Sequence, residues 1–414
     1  MPHPTPPDTI DRLAAQVDAK VVAWREDIHQ DPELSNREFR TSKLVADHLR
    51  ALGLEVRTGI AHTGVIGILR GGKPGRVVAL RADMDALPVT EEVDLPFASK
   101  ERTQDNGVEV GVMHACGHDN HTAILMGVAE VLAGMKKDLP GTVMFLFQPA
   151  EEFGPNVEPA GARLMLAEGA FDNPTPNAVF SWHVKPGPLG QIQYHTGAAM
   201  SSGDFLTIIV HGRQTHGSQP WKGVDPISIA AHIVDGLETV VARETDLMAG
   251  PAVVTFGSIQ GGVRPNIIPD SVVMSGTIRM FDSTSRRQIH EHITRTAQLI
   301  AQSAGGTAEV KILDGYPAVI NDPKLIAKMV PMLKREFGDS QVAEVPAWTA
   351  SDDFAYFAQR APGIYFFLGV TPTDQDWQTA PANHSPKFFA DERALPIGVR
   401  ALAHVAVEYL AGAG

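Results

Sequence analysis

The sequence has almost no cysteine, no long apolar run and no surplus of positive charge, and each lack excludes a class of protein. Cys116 is the single cysteine among 414 residues, so no intramolecular disulfide supports the fold. No run approaches the roughly 18 to 20 apolar residues that span a bilayer. Lys and Arg number 35 against 48 Asp and Glu, a formal charge of −13 that repels nucleic acid and anionic membrane alike. The opening Met-Pro-His-Pro-Thr-Pro-Pro lacks the basic and apolar regions of a signal peptide and reads as a short disordered lead-in. Cytoplasmic placement is therefore the default expectation, save for a leader removed beforehand. What is present is a 43 % hydrophobic, 20 % charged chain, about two to three times the length of a typical domain.

Along the chain the apolar rhythm predicts an α/β fold. Helical spacing (Ile10, Leu13, Val17, Val21) runs from Asp8 to Leu52, broken at Asp31-Pro32 and ended by Gly53. Short apolar runs at 76–82, 142–147 and 178–182 predict strands, and 121–135 and 162–166 predict helices between them. That alternation is the mark of a mostly parallel sheet flanked by helices. After about Gly197 the pattern changes to strands at 205–211, 253–259 and 272–280 with helices at 226–243 and 283–303, an α+β insert. Alternation resumes after Gly315 with a helix from Pro323, a strand at 364–368 and a helix from Arg393. The expected division is 1–197 and 315–414 for one discontinuous domain and 198–314 for the smaller one inserted in it.

Five polar clusters fall at predicted strand ends, where such sheets place ligands. They are Arg81-Ala-Asp83-Met-Asp85, Met113-His-Ala-Cys-Gly-His-Asp-Asn-His121, Gln148-Pro-Ala-Glu151-Glu152, Trp182-His183-Val184 and Asn383-His384-Ser385-Pro386. A solitary cysteine is most often a small buried hydrophobe. Cys116, however, lies among His114, His118, Asp119 and His121, and so many N, S and O donors in nine residues suit a borderline metal. A cysteine nucleophile paired with histidine is the other functional reading of the same residues. Glu151 and Glu152 follow an apolar strand, so their side chains diverge, one towards a metal and the other towards water. That division suits metal-assisted hydrolysis. His183 and His384 add imidazoles from distant segments. Cys116, His118, Glu152, His183 and His384 make five ligands, more than one zinc takes but fitting two ions with a shared ligand. In the insert, Arg279 ends an apolar strand and Asn266 sits in a Gly/Pro-shaped loop, a pair able to receive a carboxylate. Read blandly, they form a surface salt bridge and a turn cap. His216 is either a turn residue or a donor to an oxyanion.

In order, MHACGHDNH, QPAEE, WHV, THGSQP, GGVRPNIIPD, GTIR, SDDFAYF and NHSP give the chain a resemblance to a known family. It resembles the aminoacylase, hippurate hydrolase and auxin-conjugate (IAA-amino acid) amidohydrolase branch of the dinuclear metallopeptidases, relatives of glutamate carboxypeptidase. The likeness runs from about Ala23 to Leu410. It implies a zinc-peptidase-like α/β sheet with an inserted lid and dimerisation domain. It also implies two divalent metal ions per subunit, Zn or Mn, with Co or Ni as further options. By the same resemblance Cys116 is the bridging thiolate, and His118, Glu152, His183 and His384 complete the sites. Glu151 is the general base, His216 reaches a neighbouring subunit to hold the oxyanion, and Asn266 and Arg279 clamp a carboxylate. Asp85, and less directly Asp83, support the ligands from behind. Two departures bear on substrate preference. Trp221 stands where a second histidine is common in the lid loop, and Asp352 replaces a glutamate in the acidic loop.

The expectation is thus a metal-dependent amidohydrolase that cleaves N-acyl-L-amino acids to a carboxylic acid and a free amino acid. Its partners are a small-molecule substrate and further copies of itself through the insert, with neither nucleic acid nor membrane. A dipeptidase or carboxypeptidase with the same site, a Cys116/His118 thiol amidase and a non-catalytic metal-binding protein are the rivals.

Overall fold

The structure, a computed structural model, describes residues 6–105, 107–152 and 158–412. The lead-in read at the N-terminus falls mostly outside these residues. Two helices, α1 (Pro6–Gln30) and α2 (Phe39–Ala51), precede β1 (Glu55–Ile60), β2 (Gly64–Arg70), β3 (Lys73–Asp83) and a hairpin of β4 (Arg102–Asp105) and β5 (Val108–Gly111). Then come α3 (His118–Gly134), β6 (Pro140–Gln148), α4 (Gly161–Ala167), β7 (Ala178–Pro188), β8 (Ile192–Tyr194) and β9 (Gly197–Met200). The middle of the chain holds β10 (Gly203–His211), β11 (Thr215–His216), α5 (Pro226–Glu244), β12 (Ala252–Gln260), β13 (Ile267–Ile268), β14 (Ser271–Met280), α6 (Ser283–Ser303) and β15 (Thr307–Tyr316). The described chain closes with β16 (Val319–Asn321), α7 (Pro323–Phe337), β17 (Val342–Glu344), α8 (Phe354–Ala358), β18 (Gly363–Thr371) and α9 (Leu395–Ala411).

Two compact units result. The first takes the described parts of 1–197, 320–346 and 356–414; the second takes 198–319 and 347–355. The return to the first unit falls at 320, not 315, because β15 runs unbroken to Tyr316, paired with Gly203 of β10. Residues 347–355, read from the sequence as part of the larger domain, join the second unit: the Trp348 N–H donates to the Ala199 carbonyl, and Ser201 donates its N–H to the Trp348 and Ala350 carbonyls and its hydroxyl to the Thr349 carbonyl at 2.7 Å.

The first unit is an α/β layer built on an eight-stranded mixed sheet, ordered β1-β2-β6-β3-β7-β18-β8-β17. Its central strands β6, β3, β7 and β18 are mutually parallel, while β1, β2 and β8 pair antiparallel. All nine residues of β18 are buried, as a continuous apolar run covered on both faces must be. Helices α1, α3 and α9 pack on one another, and α3 and α9 pack on β3. The segment Glu392–Ala411 is apolar and long enough to cross a bilayer by composition, yet 72 % of it is buried inside the molecule, as a core helix is.

The second unit is a four-stranded sheet, β12-β14-β10-β15, with α5 and α6 packed on it. Along β14, buried Val272, Met274, Ile278 and Met280 alternate with more exposed neighbours, as in a sheet covered on one face. Three helices start where an aspartate accepts from the first-turn amides: Asp225 for α5, Asp282 for α6 and Asp322 for α7. Proline stands at the first helical position of α5 and α7, where its missing N–H costs nothing.

Candidate metal centre

The parallel centre of the first unit's sheet delivers side chains from far-apart segments to one place. Asp83 is the last residue of β3, and Gln148 the last of β6, with Glu151 and Glu152 in the turn beyond it. His183 lies inside β7, not at its end as the apolar run 178–182 suggested, since β7 pairs with β18 as far as Pro188. The MHACGHD segment turns into α3 at Gly117, whose φ of +92° suits only glycine. A Cβ there would lie 2.3 Å from Val184 Cγ2, so the bare backbone also lets this turn close against β7. Cys116 and His118, one on each side of Gly117, are thereby brought to His183.

Among the groups of donor atoms that meet within 4.8 Å, three join the expected ligands: Cys116, His118 and His183; Cys116, Glu152 and His384; and His118, Glu151 and Glu152; another, Asp83, His118 and His121, shares His118. The thiol belongs to two of them. Its Sγ is 3.3 Å from His183 Nε2, and His384 Nε2 is 2.9 Å from Glu152 Oε1. His384, with 54 % of its side chain exposed, is the open side of an otherwise buried cluster. Its backbone is left-handed (φ +70°) and is stitched in place: its N–H donates to the Ala115 carbonyl at 2.8 Å, and Asn383 Nδ2 donates to the carbonyls of Cys116 and Val184 at 3.0 Å each.

Two of the imidazoles are anchored through Nδ1. His118 places Nδ1 2.8 Å from the Asp85 carbonyl and 3.2 Å from its Oδ1; His183 places Nδ1 2.7 Å from the Val184 carbonyl. Both rings therefore carry the proton on Nδ1 and present Nε2, and buried His118 Nε2 has no hydrogen-bond partner among the described residues. A buried ring nitrogen left unmatched, facing a thiol and two carboxylates, is what a cation fills. Electrostatics agree. Burial by itself would lower the His118 pKa, but Asp83 and Asp85 lift it to about 10, so the pocket draws positive charge. Asp83 and Asp85 stay below the usual carboxylate range despite burial, held there by Arg81 and His118 beside Asp83 and by His118 beside Asp85. Burial, together with His121, pushes His183 well down, keeping it neutral.

Cys116 bears on the thiol-amidase rival. Burial, then the carboxylates of Glu152 and Glu151, push its thiol well above the ordinary value. An activated cysteine nucleophile needs the opposite shift. Of the motif's other donors, His121 and Asp119 are engaged elsewhere, whereas neither ring nitrogen of buried His114 has a hydrogen-bond partner among the described residues. His121 is fixed between Asp83 Oδ1 (2.5 Å) and the Val184 N–H (2.8 Å), and Asp119 accepts from Arg25 and His29.

Behind the cluster, Asp85 accepts the N–H groups of Glu151 and Glu152, each at 3.0 Å, and the Ser35 hydroxyl at 2.7 Å. Glu38, which no motif singles out, reaches the same turn: it accepts the Ala150 N–H at 2.9 Å. Burial and the nearby Asp85 push the Glu38 carboxyl up to about 8.

The remaining expected residues lie in the second unit. His216, on β11, accepts at Nδ1 from the Ser218 N–H (3.1 Å), with the Ser218 hydroxyl 2.7 Å away, which leaves Nε2–H as a free-standing donor. Asn266 is beside it, its carbonyl taking the Gly217 N–H at 2.8 Å. Arg279 is half-buried, bonds Ser351 Oγ at 2.9 Å and makes no ion pair among the described residues, unlike a surface salt-bridge arginine. Gly203 makes room for that pair: a Cβ there would fall 2.5 Å from Ser351 Oγ and 2.6 Å from Arg279 Nη1. Asn266 precedes β14 and Arg279 is its ninth residue, about 27 Å along the strand from its start. One chain does not bring Asn266 and Arg279 together.

The profile of peptidase family M20/M25/M40 matches residues 79–408. Thermostable carboxypeptidase 1 of Saccharolobus solfataricus is 39 % identical over 408 residues, covering 97 % of this chain and 99 % of the relative. N-acetyl-L-cysteine deacetylase of Bacillus subtilis is 36 % identical over 380 residues, covering 92 % and 85 %. The crystal structure of a dinuclear metal binding peptidase from the M20 family, from Bacillus subtilis, superposes with a TM-score of 0.79 at 34 % identity, covering 96 % and 99 %.

Proposed function

The chain belongs to peptidase family M20/M25/M40, and from that premise we propose that it hydrolyses the amide bond of N-acyl-L-amino acids, releasing a carboxylic acid and a free amino acid. It is a metal-dependent amidohydrolase. The observation that carries the finer reading is the thiol shared by two donor groups, with Glu151 beside them. In this reading Cys116, His118, Glu152, His183 and His384 hold two divalent ions. Sulfur and imidazole favour zinc, and the carboxylates also accept manganese, with cobalt or nickel suited to the same donors. Bound there, the ions polarise a carbonyl and acidify water.

The chain's own residues do the rest. Glu151 Oε2, 4.0 Å from His118 Nε2, takes a proton from the attacking water and returns it to the amide nitrogen as the C–N bond breaks. His216 offers Nε2–H to the carbonyl oxygen as negative charge gathers on it. Arg279 receives the substrate carboxylate by its guanidinium fork, and Asn266 adds an amide donor. Because one chain separates these two, the reading includes a homodimer or higher oligomer formed through the second unit. The single unpaired cysteine supports a cytoplasmic setting.

The 39 % identity to a carboxypeptidase favours a second reading, a peptide bond as the target of the same site. A panel of N-acetyl-, N-benzoyl- and aminoacyl-amino acids, assayed after metal reconstitution, separates the two. Faster turnover of dipeptides than of every N-acyl amino acid contradicts the first.

A further inference from the structure

Three successive amides at the turn that carries the base, those of Ala150, Glu151 and Glu152, donate to buried carboxylates. Asp85 takes the second and third. The first goes to Glu38, which is fully buried and comes from the connector between α1 and α2, far away in sequence. Glu38 divides its oxygens: Oε1 accepts the N–H of both Asn36 (3.0 Å) and Ala150 (2.9 Å), and Oε2 accepts the Thr63 hydroxyl. Asn36 and Ala150 are both non-glycine residues in the left-handed region, at φ +61° and +52°. Such backbone persists only where its surroundings over-determine it. Helix capping does not explain Glu38. The first amides of α2, those of Arg40 and Thr41, are already taken by Glu33 at 2.9 Å each, and Glu38 makes no side-chain cap bond.

We propose that Glu38 is a positioning residue for hydrolysis: by holding the Ala150 amide it fixes the left-handed turn that aims the Glu151 carboxylate. The inference rests on the reading of Glu151 as base. Charge is not what Glu38 supplies. A glutamine keeps the Oε1 acceptor for both amides and turns an NH2 donor towards Thr63 Oγ1, so it reproduces all three contacts. Aspartate keeps the charge but is one methylene too short to reach Ala150.

The test compares Glu38→Gln, Glu38→Asp and Glu38→Ala in the full-length, metal-loaded protein, with wild type and Glu151→Gln alongside. Each is measured for kcat, KM, bound metal and melting temperature. A base shifted by about 1 Å loses about 100-fold. The Asp and Ala variants should therefore lose about 30- to 100-fold in kcat with KM within about threefold and metal content unchanged. Glu38→Gln should stay within about threefold of wild type. Should Glu38→Ala not fold, the Gln and Asp pair alone decides. Overturning results are a melting-temperature loss at unchanged kcat, a loss of metal in step with the loss of kcat, or Asp active and Gln inactive. If Glu151→Gln itself retains activity, the reading of the base has failed, and the Glu38 comparison shows this separately.

Discussion

Replacing Gly117 with alanine perturbs the turn on which the donor cluster around Cys116 is assembled. Two costs add. The φ of +92° places an alanine in the left-handed region, at about 1–2 kcal/mol. The new Cβ would meet Val184 Cγ2 at 2.3 Å, and Val184 cannot retreat freely. Its N–H is held by His121, and its carbonyl receives both His183 and Asn383. Overpacking of this kind costs about 1–3 kcal/mol. The sum, about 2–5 kcal/mol, corresponds to a fall of about 10 °C in Tm for a domain of this size. Gly53→Ala is the control: φ is +73°, but nothing lies within 4 Å of a Cβ there, so only the first cost applies. Calorimetry of the two variants isolates the packing cost. Cys116 and His118 flank Gly117, so Gly117→Ala should also release metal faster during dialysis against a weak chelator. Equal melting of the two variants, or wild-type metal retention by Gly117→Ala, refutes the reasoning.

Other expectations follow from particular contacts. Glu151→Gln should keep its metal and lose about 100- to 10,000-fold in kcat, read by steady-state assay beside metal analysis; near-wild-type turnover contradicts the role. Gly203→Ala, which crowds the Arg279–Ser351 pair, should raise KM for a carboxylate-bearing substrate about tenfold with kcat little changed. A substrate whose carboxylate is amidated should show no such difference. In the second unit, burial would raise the Asp204 carboxyl, but His290 and Arg286 hold it below its ordinary value. A depressed carboxylate stabilises the fold above its unfolded pKa, and that contribution is lost as pH falls through the folded pKa. Asp204→Asn should therefore melt well below wild type at pH 7, with the gap narrowing under acid; a gap constant down to pH 3 contradicts the linkage.

What the sequence disclosed, and what it hid, follows the range of the forces involved. The starts of α5, α6 and α7 were legible because each aspartate caps amides two or three residues away. The donors Cys116, His118, Glu151 and Glu152 stood out because they cluster at strand ends. Three features depended on distant partners. His183 looked like the end of a strand, but pairing with β18 carries β7 on to Pro188. The second unit's border moved because β15 is held by β10, about a hundred residues earlier. Glu38 meets Ala150 across 112 positions, and no local pattern in DPELSNRE signals that contact.

The central claim is that one chain holds two divalent ions through a shared thiol. Its most direct test is to strip the protein with chelator, titrate it with Zn²⁺ or Mn²⁺, and count bound ions by mass spectrometry while following activity. Two ions per chain, activity restored with them, and a Cys116→Ala variant impaired at both positions is the predicted result. Full activity in the chelated protein, with loss on thiol alkylation alone, is the result that contradicts it.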